Sequence, residues 1–282
     1  MKKIGIIVKK GAPEAIDAVK TLLEWFDKKE CSFLIEKDAA SALKIRGLPR
    51  EKIPQKSDVI IVFGGDGTLL SVARLVGRRG IPILGVNLGG LGFIAEVGRD
   101  EIRKSVIDYI FSKKCKYEER IMLSADVFRG KRRIARNTAL NDVVIHKSAI
   151  ARMIDLDIYI NGQYVTTFRA DGMIISTPTG STAHSLSAGG PILYPTLESF
   201  VITPICPHTL TNRPIVLPDN FIQDIFIKSG EDVYLTLDVQ VGVPVKARDK
   251  VKIRKADFKT RFILLHDRDY FQILKKKLKW GK

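Results

Sequence analysis

The stretch IIVFGGDGTLLSVARLV, Ile60–Val76, decides the fold. An apolar run ends at Phe63, three glycines surround Asp66, and apolar periodicity resumes at Leu69. Val59 to Phe63 is apolar at every position, the pattern of a strand buried on both faces of a parallel sheet. From Thr68 to Val76 the spacing is helical, with Thr68 expected to cap the helix. In an open parallel sheet, ligands lie beyond the carboxyl ends of the strands. Glycine lets the backbone approach an oxyanion with no Cβ in the way, and free N–H groups at a helix start attract phosphate. A carboxylate at that place repels phosphate. Asp66 is therefore expected to bind a metal, hold a sugar hydroxyl, or accept a proton from one.

Upstream, Lys3–Val8 reads as a strand and Pro13–Lys28 as a helix, with Ile16, Val19, Leu22, Leu23 and Phe26 on one face. Ser32–Glu36 and Ile81–Val86 complete four strands, and Glu101–Phe111 reads as a further helix. Alternating strands and helices predict a βαβ layer structure. Beyond Tyr117 strands dominate. Ile154 to Ile160 alternates, Asn161-Gly162 follows, then Gln163 to Phe168, which is a strong hairpin signal. Phe221–Lys228, Val233–Val239 and Lys250–Lys255 read as later strands, and Tyr270–Leu278 as a last helix. The expected architecture is an α/β N-terminal domain with a parallel sheet and a C-terminal, mostly antiparallel β domain.

The chain has 282 residues, 47 basic and 31 acidic, for a net charge of +16. That balance favours an anionic partner such as a phosphorylated metabolite, a nucleic acid or a membrane surface. No nucleic-acid motif accompanies the charge. The apolar runs fall short of the ~20 residues of a membrane span. The run Ile4–Val8 is too short for a secretion signal and reads as a buried strand. Cys31, Cys115 and Cys206 have neither disulfide nor zinc spacing, which suits thiols in a reducing cytoplasm.

Two further segments carry chemistry. ADGMIISTPTGSTAHSLSAGGPI, Ala170–Ile192, places a hydroxyl-rich loop after an apolar strand, with one or two helical turns expected over Ala183–Ala188. Its hydroxyls and N–H groups suit ribose, phosphate or base edges. TALNDVVIHK, Thr138–Lys147, sets Asn141-Asp142 before another strand, a pair suited to a base edge or sugar hydroxyls. The P-loop pattern is missing. So is G-x-G-x-x-G, because Leu70 stands at the third glycine position. A dinucleotide-binding dehydrogenase is thereby disfavoured.

FGGDGTLL, GVNLGGLGFIAEV, TALNDVV, DGMIISTPTGSTAHSLSAGGPIL and TPICPHTLTNRPIV occur in that order, and the set resembles the NAD kinase family over most of the chain. The resemblance implies phosphoryl transfer from ATP or polyphosphate to the 2′-hydroxyl of the adenosine ribose of NAD, giving NADP. It implies a divalent cation such as magnesium, with ligands unassigned, and a cytoplasmic homodimer or homotetramer. No nucleic-acid or membrane partner is expected. The chain end is expected to return to the first domain, giving residues 1–98 and 262–282 as the α/β domain and 99–261 as the NAD-binding β domain. Asp66 matches the proton acceptor and Gly67 an NAD contact. Asn141 and Asp142 match an adenine-side pair, and Arg152, Arg169 and Asp171 match further NAD contacts. Thr182, Ala183, His184, Ser185, Leu186 and Ser187 match the hydroxyl loop, and Gln240 a late glutamine. Three positions depart from the family pattern: Asp142 replaces glutamate, His184 replaces a tyrosine, and Val239 replaces the glycine of Asp-Gly-Gln. Valine does not easily adopt a positive φ, so the turn at Val239 is expected to differ. A lipid kinase sharing the glycine motif and a non-enzymatic nucleotide or nucleic-acid binding module are the rival readings.

Overall fold

Val59–Phe63 is buried along its whole length, with both faces of the strand covered. Each fully buried Ile or Phe in such a strand contributes roughly 1.5–3 kcal/mol of transfer free energy. The computed structural model describes residues 3–27, 32–89, 92–95, 97–98, 109–110, 112, 114–148, 152–209, 211–265 and 269–281. The chain divides into two compact units, Met1–Glu119 with Thr260–Lys282, and Arg120–Lys259.

In the first unit the elements run β1 (Lys3–Val8), α1 (Pro13–Asp27), β2 (Ser32–Ile35), α2 (Lys37–Ala42), β3 (Val59–Phe63), α3 (Asp66–Val76), β4 (Ile83–Asn87) and β5 (Val97–Gly98). The parallel sheet has the order β4-β3-β1-β2, with β5 beside β4. The chain thus places β2 on one flank of β1 and β3 on the other. The β1/β3 step is the topological switch point where open sheets place ligands. Val8 pairs with Phe63 there, and the Lys9 amide donates to the Phe63 carbonyl at 2.7 Å. Val19, Leu22 and Phe26 of α1 are buried against the sheet, and Ile16 and Leu23 pack at the edge of the same core. The predicted helix Glu101–Phe111 lies outside the described residues except for Tyr109 and Ile110, which are helical.

The second unit holds β6 (Lys116–Arg129, its first four residues in the first unit), β7 (Arg132–Ala139), β8 (Asp142–Lys147), β9 (Ile154–Ile160), β10 (Gln163–Ala170), β11 (Gly172–Ser176), the short helix α4 (His184–Ser187), β12 (Ser199–Ile205), β13 (Ile215–Pro218), β14 (Gln223–Ser229), β15 (Val233–Leu237), β16 (Val241–Val245) and β17 (Asp249–Leu264, which ends in the first unit). One sheet runs β13-β12-β11-β8-β15-β16, antiparallel throughout. Strands β10-β9-β14-β17 form a second antiparallel run. Side chains from both surround one core that includes Leu156, Ile175, Phe200, Ile225, Leu235 and Ile253. Asn161 and Gly162 take φ of 50° and 82° between β9 and β10, the hairpin that Asn-Gly predicts. The last helix, α5 (Tyr270–Leu278), belongs to the first unit, as the returning chain end requires.

Three expectations need correction. Helix α3 begins at Asp66 with Gly65 as its extended N-cap, so Thr68 lies in the first turn and caps nothing. Its side chain packs instead on Gly64, where an added Cβ would stand 2.6 Å from Thr68 Oγ1. Strand β17 extends well past Lys255 to Leu264. Val239 does adopt a left-handed φ, 56°, next to Asp238 at 50°.

Candidate active site

Asp66 stands at the first position of α3, beyond the carboxyl end of β3, and its carboxylate is already oriented. Oδ2 accepts the Phe93 amide at 2.8 Å, and Oδ1 accepts the amides of Ile94 at 3.1 Å and Ala95 at 3.2 Å. The backbone loop after β4 thus turns successive N–H groups onto one side chain. Gly92 makes the seat possible, because a Cβ there would overlap Asp66 Oδ1. An ionised carboxylate offers about four acceptor directions. Three amides therefore leave one direction for a hydroxyl. Gly67, next along the helix, is exposed.

In the second unit, Asn141 and Asp142 sit where β8 begins. The Thr177 amide donates to the Asn141 carbonyl at 2.9 Å, and Gly180 lies so close that a Cβ would overlap that carbonyl. The structure therefore brings the hydroxyl loop and the Asn-Asp pair together. Arg120, 5% exposed, donates from Nη1 to Thr179 Oγ1 at 3.1 Å and steadies the same loop. Asn141 Oδ1 and Asp142 Oδ1 are buried and have no hydrogen-bond partner among the described residues. Buried acceptors left without donors are costly, which is the signature of a place awaiting one.

The turn Asp238–Gln240 reaches the same place. Asp238, 4% exposed, accepts the amides of Leu140 at 3.1 Å, Asn141 at 2.8 Å and Asp142 at 3.3 Å. The Gln240 amide closes the turn on the Leu237 carbonyl at 2.9 Å. A β-branched residue at positive φ costs on the order of 1–3 kcal/mol. The three amide bonds of Asp238 hold the turn in that conformation. Burial pushes the Asp238 carboxyl up from its ordinary range, opposed by those amides.

The remaining candidates divide. Thr182, Ala183 and Leu186 are half-buried and Ser187 is exposed. Ser185 is fully buried, and its hydroxyl pairs with Thr203 Oγ1 at 2.9 Å, so it serves the fold. Asp171 lies at the opposite end of the β8–β11 pair, 3.5 Å from Lys147 Nζ, with Arg169 exposed beside it on β10. Five residue steps of strand, Asp142 to Lys147, separate the two ends, roughly 17 Å. Arg152 is exposed and lies just before β9.

The two departures at Asp142 and His184 meet each other. His184 Nδ1 lies 3.1 Å from Asp142 Oδ2. That hydrogen bond raises the imidazole pKa from its ordinary 6.5, against the opposing effect of partial burial. Because the folded value is the higher one, the bond stabilises fully below the unfolded value and is lost as pH rises through the folded value. The His184 ring resonance should titrate above 6.5 in the intact protein and move back toward 6.5 in Asp142→Asn. Equal midpoints in the two proteins would show that the bond does not form in solution.

Comparison with known proteins now decides the family. The ATP-NAD kinase N-terminal domain matches residues 4–114, and the ATP-NAD kinase C-terminal domain matches residues 140–265. The chain belongs to the NAD kinase family. An NAD kinase of Geobacter metallireducens is 48% identical over 283 residues, covering all of both chains. A yeast NADH kinase solved with NADH superposes with a TM-score of 0.92 at 26% identity, over 100% of this chain and 89% of the other. An Archaeoglobus fulgidus NAD kinase shares the fold, with a TM-score of 0.78 at 24% identity over 98% of each chain.

Like its relatives, this NAD kinase is a phosphotransferase that converts NAD to NADP. Sequence reading named most of the loops but missed how they are held. Nothing in GVNLGGLGFIAEV marks its amides as donors to Asp66, because backbone groups leave no signature beyond glycine. Asp238 was visible as part of a late motif, yet its three amide bonds depend on chain almost a hundred residues away. No helix among the described residues is long and apolar enough to cross a membrane.

Proposed function

We propose that Asp66 orients the 2′-hydroxyl of the adenosine ribose of NAD and takes its proton as the γ-phosphoryl group of ATP arrives. The observation that carries this is the carboxylate itself, fixed by three amides with one acceptor direction unused. The new bond joins O2′ to Pγ, and the Pγ–O bond to the β-phosphate breaks. The electron pair leaves with ADP, and the proton passes from Asp66 to water. Phosphoryl transfer depends mainly on positioning and charge stabilisation, so a weak base suffices when its proton is taken late.

Asn141 and Asp142 supply acceptors for the exocyclic amino group of a base, supported by their two buried oxygens without donors. Thr182, Ala183, His184, Leu186 and Ser187 line the same nucleotide, with His184 presented by Asp142, and Gln240 adds a contact to it; Gly67 contacts NAD beside Asp66. Arg152, Arg169 and Asp171 serve the far part of the dinucleotide, and the two arginines offset its phosphates. The separation of the two groups along β8 suits a ligand with two heads.

Among the described residues no three His, Cys, Asp or Glu side chains gather into a cage for a divalent cation. The residues fit an ion that arrives on the donor's phosphates, as magnesium commonly does, where it neutralises developing charge. As the resemblance implies, the enzyme works in the cytoplasm as a homodimer or homotetramer.

The test supplies purified protein and magnesium with γ-labelled ATP or polyphosphate, and with NAD or diacylglycerol as acceptor. Label is expected in NADP with ATP as donor. Label in the lipid, or saturable NAD binding with no turnover from either donor, would overturn the proposal.

A further inference from the structure

We propose that three arginines of the second unit, Arg133 and Arg136 on β7 and Arg254 on β17, form a binding site for a phosphate dianion, free or as the monoester end of a small molecule. The site shares no residue with the nucleotide contacts described above and does not depend on the NAD kinase reading. It answers to the net charge of +16, which the nucleotide site leaves largely unexplained.

Strand alternation builds the cluster. Ala125 and Val127 of β6 are buried in the core of the second unit, so Asp126 between them points to the opposite face. Val251 and Ile253 of β17 enter the same core, which turns Arg254 away from it in the same manner. Strand β6 pairs with both β7 and β17, and Asp126 stands opposite Arg136 in the β6–β7 ladder. Asp126 Oδ1 lies 3.1 Å from Arg136 Nε and 3.5 Å from Arg133 Nη1, and Oδ2 lies 3.4 Å from Arg254 Nη2. Asp126 is 3% exposed, whereas the three arginine side chains that converge on it are half-exposed.

Charge and donors are both in excess. Three positive groups meet one negative group, which leaves two charges unanswered. Three guanidiniums carry about fifteen N–H donors, and one carboxylate accepts about four. None of the three bonds another acceptor among the described residues, and Arg254 Nε is buried without a partner. Arg129 makes the contrast: Asp249 alone takes its Nε at 2.9 Å and its Nη2 at 2.8 Å, one carboxylate to one guanidinium. Asp126 therefore gathers the three forks, and their outer N–H groups face solvent. Like charges held so closely repel one another, and a further anion relieves that repulsion. A phosphate monoester carries about two negative charges at neutral pH and offers three acceptor oxygens, which matches both the excess charge and the number of forks. Guanidinium binds phosphate bidentately, whereas a single carboxylate would answer only half of the excess.

Arginine side-chain NMR of the whole protein reads the site directly. Inorganic phosphate and glycerol 3-phosphate are titrated in turn. The Nε–H resonances of Arg133 and Arg136 should move together and saturate, and the tighter of the two probes identifies the form bound. Arg133→Ala leaves Asp126 two arginine partners and should raise the Kd read at Arg136 by about tenfold, the loss of one charge-assisted contact. Arg133→Lys keeps the charge without the fork and should fall between the two. Arg132→Ala removes an equal charge from the adjacent exposed residue, which takes no part in the cluster, and should stay within about twofold of the parent. If Arg133→Ala does not fold, Arg133→Lys set against Arg132→Ala carries the comparison. Resonances that fail to saturate in the parent overturn the site. Equal weakening by the variants at 132 and 133 overturns it too, as the mark of unspecific attraction. A single-stranded RNA oligomer that moves the same resonances at lower concentration than either phosphate would overturn it in favour of a nucleic-acid surface.

Discussion

Asp66→Asn is expected to lower kcat by about 10²–10⁴, the span associated with positioned acid–base groups. The KM for NAD should change far less, because the hydroxyl is one of many contacts. The structure also says what else the substitution does. Asparagine keeps one acceptor oxygen and turns an NH₂ group toward amides that are themselves donors. At least one of the bonds from Phe93, Ile94 and Ala95 must break. Hydrogen exchange at these amides should quicken in Asp66→Asn. Gly92→Ala separates seat from chemistry, since it keeps the carboxylate but crowds Oδ1. It should lower kcat too, by roughly tenfold, as small misplacements of a reacting group do. Near-parental turnover in purified Asp66→Asn would remove Asp66 from the mechanism, whatever Gly92→Ala shows.

The second large effect is expected at Asp238. Asp238→Ala strips the acceptor from three amides at once and leaves them in a buried place. Orphaned buried donors cost about 1–3 kcal/mol each, and such losses are not additive, so roughly 2–4 kcal/mol is the expected deficit. Urea denaturation measures it. Because the same amides belong to Leu140, Asn141 and Asp142, NAD binding should weaken by about tenfold or more, equivalent to about 1.4 kcal/mol. Asp238→Asn keeps one oxygen and should fall between the two. A full-strength NAD site in a destabilised Asp238→Ala protein would mean that the turn supports the fold alone.

Much of the architecture could be read from residues. Val59–Phe63 announced a parallel strand because nothing polar interrupts it, and Asn161-Gly162 announced its hairpin because both residues tolerate positive φ. Sequence alone stops β17 short because its alternation slips: Val251 and Ile253 are buried, then Ala256. The pattern changes phase at Lys255, and a period-2 reading stops there. The start of α3 is hard to read because a threonine invites assignment as a cap, whereas Gly65 gives no side-chain signal at all. Val239 shows the limit of local propensity. Its left-handed φ is unfavourable for valine alone, and contacts from distant chain settle the outcome.

The bond from Leu140 to Asp238 spans 98 positions of sequence. Contacts of that span close a long loop before they repay its entropy, so they belong to the slow end of folding. On the ribosome, the Asn141 segment emerges well before the carboxylate that fixes it. A nascent chain released short of β15 therefore has its β8 strand but lacks the clasp at its tip, and dinucleotide capture must wait for nearly complete synthesis.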